Sequence, residues 1–142
     1  MTKRKLLESL IRENGRSDYV PSAFFMHFDN KLGPEAASRH ISYYRETNMD
    51  IAKVQFEQFP VPCIKCAEDI RSIPVFKADY WQPQLDVVGR VVDALAYDTI
   101  VVSTLYTPFI LFQSMFGVCR PRQAIEMMTS DIETTKAALN NI

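Results

Sequence analysis

The stretch from Val20 to Pro60, VPSAFFMHFDNKLGPEAASRHISYYRETNMDIAKVQFEQFP, constrains the fold most, because its hydrophobic period changes twice along its length. Ser22 to Phe28 is apolar except near its ends and closes on His27, just ahead of the turn formers Asp29 and Asn30, which predicts a strand. Gly33 and Pro34 mark a helix entry, since proline's fixed φ and missing N–H suit the first helical turn. Ala37, His40, Ile41 and Tyr44 then recur at helical spacing and share a face. From Asp50 to Gln58 the period becomes two: Ala52, Val54 and Phe56 point one way, Lys53, Gln55 and Glu57 the other. The unit reads as strand, helix, strand.

A strand with one face of Lys, Gln and Glu has two readings. It is an antiparallel edge strand with its polar face in water, or a strand of a parallel (β/α) barrel whose inner face carries functional groups near its carboxyl end. The intervening helix favours the second, because a helical crossover is how parallel neighbours are joined.

Further along, the proline-rich segment from Phe59 to Pro83 holds Cys63, Cys66 and the single tryptophan, Trp81. It is long for a loop, so it is expected to fold over something. Leu85, Val88, Val92 and Leu95 predict a second crossover helix over 84–96. Thr99 to Leu105 is a β-branched and apolar run, as expected of a parallel strand buried on both faces. Helices are expected over 109–116, ending at Gly117, over 121–128, and over 130–142 with Ser130 or Asp131 as cap and Glu133 helping to close it. Residues 3–14 make an amphipathic helix, with Leu6, Leu7, Leu10 and Ile11 on one side, stopped by Asn14-Gly15.

The 142 residues fit one domain, and 47% apolar with 23% charged residues is a globular mixture. A net charge of -1 provides no electrostatic footprint for nucleic acid. The start resembles no signal peptide, because Glu8, Arg12 and Glu13 interrupt its apolar run, and Thr99 to Phe112 is too short and too polar to span a bilayer. A cytoplasmic protein without a membrane partner is expected. Three cysteines make no disulfide framework.

The segments VPSAFFMHF, ASRHISYYRETNMD, DIAKVQFEQ and LDVVGRVVDALAYDTIVVSTLYTPF, in this order and spacing, resemble the amino-terminal half of the uroporphyrinogen decarboxylase superfamily over residues 3–140. The resemblance implies the amino-terminal part, about three strands, of a (β/α)8 barrel. Residues 1–19 would be a helix and connector and 20–142 the βα units. It implies a carboxy-lyase acting on a tetrapyrrole or related small molecule. The alternatives are a corrinoid-dependent methyltransferase, with zinc or a corrinoid as cofactor, and a non-catalytic half-barrel that pairs with itself as a homodimer. The family's carboxylate-holding arginine segment falls on Met26 to Lys31, where this chain has His27 and Lys31. Its catalytic aspartate falls on Glu57, and its active-site tyrosine on Ser114.

The residues themselves single out Glu57, which near the end of a barrel strand can act as a base or stabilise a cation, and which in the plainer reading is salt-bridged, for instance to Lys53 on the same face. His27 can transfer protons near neutral pH or be a hydrogen-bonded core histidine. Gln55 is an orienting partner for Glu57. Gln55 is also an expected substrate contact, and the resemblance implies Lys31 and Ser114 as two more. Cys63-Ile64-Lys65-Cys66 has metal-like spacing without a second pair, so the two cysteines are weak metal candidates beside the reading as ordinary loop thiols.

Overall fold

Leu7 and Leu10 are buried along helix α1 (Lys3–Arg12), whereas Ile11 on the expected apolar side is exposed. The computed structural model describes residues 2–12, 18–61, 63–117 and 121–142, so the expected stop at Asn14-Gly15 and the third cysteine, Cys119, lie outside the described residues. The chain divides into two compact units, Met1–Gln58 with Trp81–Thr104, and Phe59–Tyr80 with Leu105–Ile142.

The first unit is a mixed α/β arrangement. Helix α2 (Gly33–Thr47) starts where Gly33 takes φ +82°, a left-handed backbone that a side chain would strain. Pro34 sits in its first turn and Asn48, at φ 52°, ends it. Its buried residues are Ala36, Ala37, His40 and Tyr44, with Ile41 packed alongside, which is the face expected from the spacing. Strand β1 (Ile51–Val54) follows, then helix α4 (Gln82–Leu95) and strand β2 (Ile100–Ser103), the short helix α3 (Ala67–Arg71) belonging to the other unit. The two strands pair in parallel with Ile51 opposite Ile100 and Val54 opposite Ser103, so α4 is a crossover. Ala52 and Val54 join Ala36, Ala37, Tyr44, Met49, Val87, Val91 and Leu95 in one core between sheet and helices.

Three expectations need correction. Helix α4 buries Gln84, Val87, Val91 and Leu95, so its inward face is rotated from the expected one: Leu85 and Val92 are exposed, and only Leu95 is common to both sets as a fully buried residue. Strand β2 is not buried on both faces, since Ile100 and Val101 are half-buried and Val102 and Ser103 exposed. Among the described residues it pairs with β1 alone.

The third is the first predicted strand: Ser22 to Phe28 is irregular, and Phe24, Phe25 and Met26 are exposed. The segment begins as a neighbour of β1, with the Ser22 carbonyl accepting from Asp50 and Ile51 N–H at 3.0 and 3.3 Å. Two residues later the ladder fails, because the Phe24 N–H turns to the Met49 sulfur at 3.0 Å.

The junction is instead held by Asp50, which is buried. Its carboxylate accepts from the Tyr19 hydroxyl and from the Ser22 N–H and hydroxyl, at 2.8 and 3.0 Å for the two Ser22 contacts, and its carbonyl accepts from the Thr99 hydroxyl. Lys3 closes the same end by donating to Asn48 O, Asn48 Oδ1 and Met49 O at 2.7 Å each. These oxygens lie just past the carboxyl end of α2, where the helix dipole is negative and an ammonium suits them.

The second unit contains α3, a 3-10 turn (Ala78–Trp81) running to its boundary, and helices α5 (Pro108–Ser114), α6 (Pro121–Ser130) and α7 (Ile132–Asn140). The long loop thus carries helical turns of its own. Ile64, Ile70, Ile73, Phe112, Met115, Phe116, Ala124 and Ala138 form this unit's core. Thr107 caps α5, and Asp131 rather than Ser130 caps α7, accepting from Thr134 N–H at 3.0 Å. Glu133 pairs with Lys136 instead of closing the cap.

Burial alone would raise the Asp50 pKa, but the hydrogen bonds from Tyr19 and Ser22, with the charge of Lys3, hold it below the ordinary aspartate value. A lowered carboxyl pKa contributes stability that is present above the unfolded-state value and lost as pH falls through the folded one. Asp50→Asn is therefore expected to destabilise the chain by about 1–3 kcal/mol at neutral pH. In urea unfolding followed against pH, the gap between wild type and variant should close towards the acid limit; a gap constant with pH would contradict the assignment.

Candidate functional site

Past the carboxyl end of β1 the chain runs on through Gln55 and Phe56 to Glu57, with Lys53 and Glu57 on the face that meets residues 22–31. Gln84, buried at the start of α4, holds this extension in place. Its side-chain carbonyl accepts from the Glu57 N–H at 2.8 Å, its amide donates to the Gln55 carbonyl at 3.2 Å, and its own N–H donates to Gln58 Oε1 at 3.0 Å. Residues 55–58 thus find on a helix the partners that a sheet neighbour would otherwise supply.

Against that face lie the side chains of the 22–31 segment. Lys53 Nζ stands 4.3 Å over the Phe25 ring, a cation–π contact. His27 Nδ1 is 2.5 Å from Glu57 Oε1, and Lys31 Nζ is 3.5 Å from Glu57 Oε2. The Glu57 side chain is only 8% exposed, whereas His27 and Lys31 are about half exposed, at 49% and 48%. A carboxylate so far withdrawn from water needs cationic or N–H partners, and each of its oxygens has one. An ionised carboxylate only accepts, so the contact assigns the proton to His27 Nδ1 and leaves Nε2 directed elsewhere. The ring of Phe25 meets His27 edge-on at 5.8 Å.

Beneath this cluster is His40, 6% exposed on the inner face of α2. The Phe28 ring crosses it at 5.0 Å and 84°, and the Lys53 backbone carbonyl hydrogen-bonds it. Burial pushes the His40 pKa below the ordinary histidine value, against the opposing pull of the Glu57 carboxylate and the Lys53 carbonyl.

Of the residues expected from sequence, Glu57, His27 and Lys31 come together, and Lys53, the expected salt-bridge partner of Glu57, is on Phe25 instead. Gln55 is buried and accepts from the Thr104 hydroxyl at 3.3 Å. Ser114 belongs to the second unit, where its hydroxyl donates to the Leu111 carbonyl at 2.6 Å.

Cys63 and Cys66 are exposed free thiols. Cys66 caps α3 in a capping box with Asp69, whose carboxylate accepts from the Cys66 N–H at 3.0 Å. Burial and then the Asp69 charge raise the Cys63 pKa, which disfavours a reactive thiolate. Among the described residues no group of three or more His, Cys, Asp or Glu is placed to hold a metal ion, and no helix is long and apolar enough to cross a membrane.

Two residues escaped the sequence reading as parts of the site. Gln84 carried a signal: it precedes Val87 and Val91 at helical spacing, so a polar residue was on the buried face. His40 shares its helix face with Ala37 and Tyr44, and nothing local marks its relation to Glu57.

No family model, curated protein or solved structure matches this chain. What fold and cluster define together is a mixed α/β chain in which a withdrawn carboxylate, following a parallel strand, is paired with a half-exposed histidine and a half-exposed lysine.

A base whose pKa is lowered on folding stabilises the native state fully above its unfolded value, about 6.5 for histidine, and less as pH falls below that. Wild type should therefore lose stability as pH drops through the ordinary histidine range, and His40→Gln should lack that part of the slope. Chemical denaturation at stepped pH checks this; superimposable slopes would show that His40 takes up a proton as easily folded as unfolded.

Proposed function

We propose that this chain is the amino-terminal part of a (β/α)8 barrel of uroporphyrinogen decarboxylase type, and that His27, Glu57 and Lys31 belong to a site for carboxy-lyase chemistry on a carboxylated tetrapyrrole or a related small molecule. The observation that carries the reading is the 2.5 Å contact between His27 Nδ1 and Glu57 Oε1 just beyond the carboxyl end of a parallel strand. That end is where barrels of this class hold their reacting groups. The parallel β1–α4–β2 crossover, preceded by α2, is the repeating unit such a barrel requires.

The chemistry follows from the roles the residues can take. When a carboxylate substrate loses CO2, the electron pair of the broken C–C bond must be accommodated and a proton must replace the carboxyl. Glu57 fixes the imidazole through Nδ1 and stabilises positive charge on it, as a carboxylate does for a general acid–base histidine. His27 Nε2 then gives or takes the proton. Lys31 supplies a half-exposed ammonium to attract the substrate's carboxylate and to stabilise negative charge. With both oxygens engaged, Glu57 serves as the orienting group and His27 as the proton carrier. Of the roles expected for Glu57, this division keeps the stabilisation of a cation and gives that of the base to His27.

Assay of the full chain for CO2 release, with uroporphyrinogen and simpler pyrrole carboxylates as probes, tests the reading. His27→Gln and Glu57→Gln should each lower the rate by about 10²–10⁴-fold, with the thermal unfolding midpoint of His27→Gln within a few degrees of wild type. Undiminished rates in both variants, or no CO2 release by wild type from any of these probes, would overturn it.

A further inference from the structure

His40 is the one polar side chain among the buried residues of α2, where Ala36, Ala37 and Tyr44 are its companions. An aliphatic residue there would avoid the cost of burying an imidazole, so its contacts need an explanation. In the β1–β2 ladder, Thr104 N–H donates to the Val54 carbonyl. By the alternation of a parallel pair, residues 52 and 54 face β2, and Lys53 directs its carbonyl to the opposite edge. That is the edge along which the 22–28 segment begins to pair, through Ser22 and Ile51. The Lys53 carbonyl is one a regular first strand would have taken, and His40 takes it instead.

The same ring packs edge-on against Phe28, the residue after His27. Tyr43, one turn away on α2, meets Phe28 from another side at 5.8 Å. His40 therefore touches both halves of the cluster: the backbone of β1 four residues before Glu57, and the side chain next to His27.

We propose that His40 is a positioning residue for the His27–Glu57 pair, holding the edge of β1 through the Lys53 carbonyl and the His27 backbone through Phe28. The proposal rests on the reading of that pair as the proton-transfer site. It adds a buried residue without which the pair loses its register. The irregular 22–28 segment has no ladder of its own to fix His27, which leaves the placement to Glu57, Phe28 and what lies beneath them.

The chain has two histidines, so a variant lacking His40 retains a single imidazole. Two-bond 1H–15N correlation from the carbon-bound ring protons of the ¹⁵N-labelled full chain, recorded above the ordinary histidine range, reports which nitrogen of His27 carries the proton. Wild type should show His27 protonated at Nδ1, the tautomer set by Glu57, and Glu57→Leu, which removes the acceptor, should lose it. His40→Leu should fold and shift His27 to the Nε2–H form, whereas His40→Gln, which keeps an N–H donor for the Lys53 carbonyl, should restore the Nδ1–H form. A folded His40→Leu with the tautomer intact overturns the proposal. If His40→Leu does not fold, a folded His40→Gln with the tautomer lost overturns it, and failure of both to fold assigns His40 to the core alone. Absence of the Nδ1–H form in wild type would defeat the reading of the pair itself, a different failure from any of these.

Discussion

A carboxylate removed from water has to be answered by protons or charge, and the first unit is arranged around meeting that demand at Glu57. Its oxygens are taken by His27 and Lys31, which come from a segment with no regular secondary structure. The pairing is what gives that segment a place. Its backbone makes one sheet-like contact, at Ser22, before Phe24 turns to Met49. Beyond that point side chains do the holding: Phe25 under Lys53, His27 on Glu57, Phe28 on His40.

The two ends of β1 solve one physical problem by different means. At the amino end, the Asp50 carboxylate takes Tyr19 and Ser22 while its backbone carbonyl takes Thr99, so the entering chain is fixed by hydrogen bonds to a carboxylate that contributes no free charge to a site. At the carboxyl end, Gln84 satisfies the backbone of residues 55–57 from a helix. Glu57 is thereby presented on a hydrogen-bonded backbone, with a half-exposed imidazole and a half-exposed ammonium in front of it. Support behind and access in front is the arrangement a proton-transfer pair needs.

Much of this was legible in the residues. Within β1 the alternation of Lys53 against Ala52 and Val54 separated the two faces, although the strand ends at Val54 and Gln55 beyond it is as buried as Phe56, and Gly33-Pro34 correctly opened α2, because side-chain period and backbone φ are local properties. The fate of Ser22 to Phe28 was not legible, since an apolar run specifies β-propensity but not whether its N–H groups will find a ladder. Phe24 N–H went to a sulfur atom, and no propensity records that. The rotation of α4 was missed for a related reason: Leu85 and Val92 are as apolar as Val87 and Val91, and the buried Gln84 decided the face through its bonds to residues 55–58. His40 required knowing that an edge carbonyl of β1 stood open across from α2.

Whether the His27–Glu57 contact is an energetic link or a coincidence of two neighbouring side chains is read most directly from a double-mutant cycle in unfolding free energy, with His27→Ala, Glu57→Ala and the double variant measured at neutral pH. A contact that places the 22–31 segment gives a coupling of about 1 kcal/mol or more, because removing either partner leaves the other with the same loss. Strictly additive effects would mean that His27 and Glu57 are held independently, and the cluster would not be the element that organises this unit.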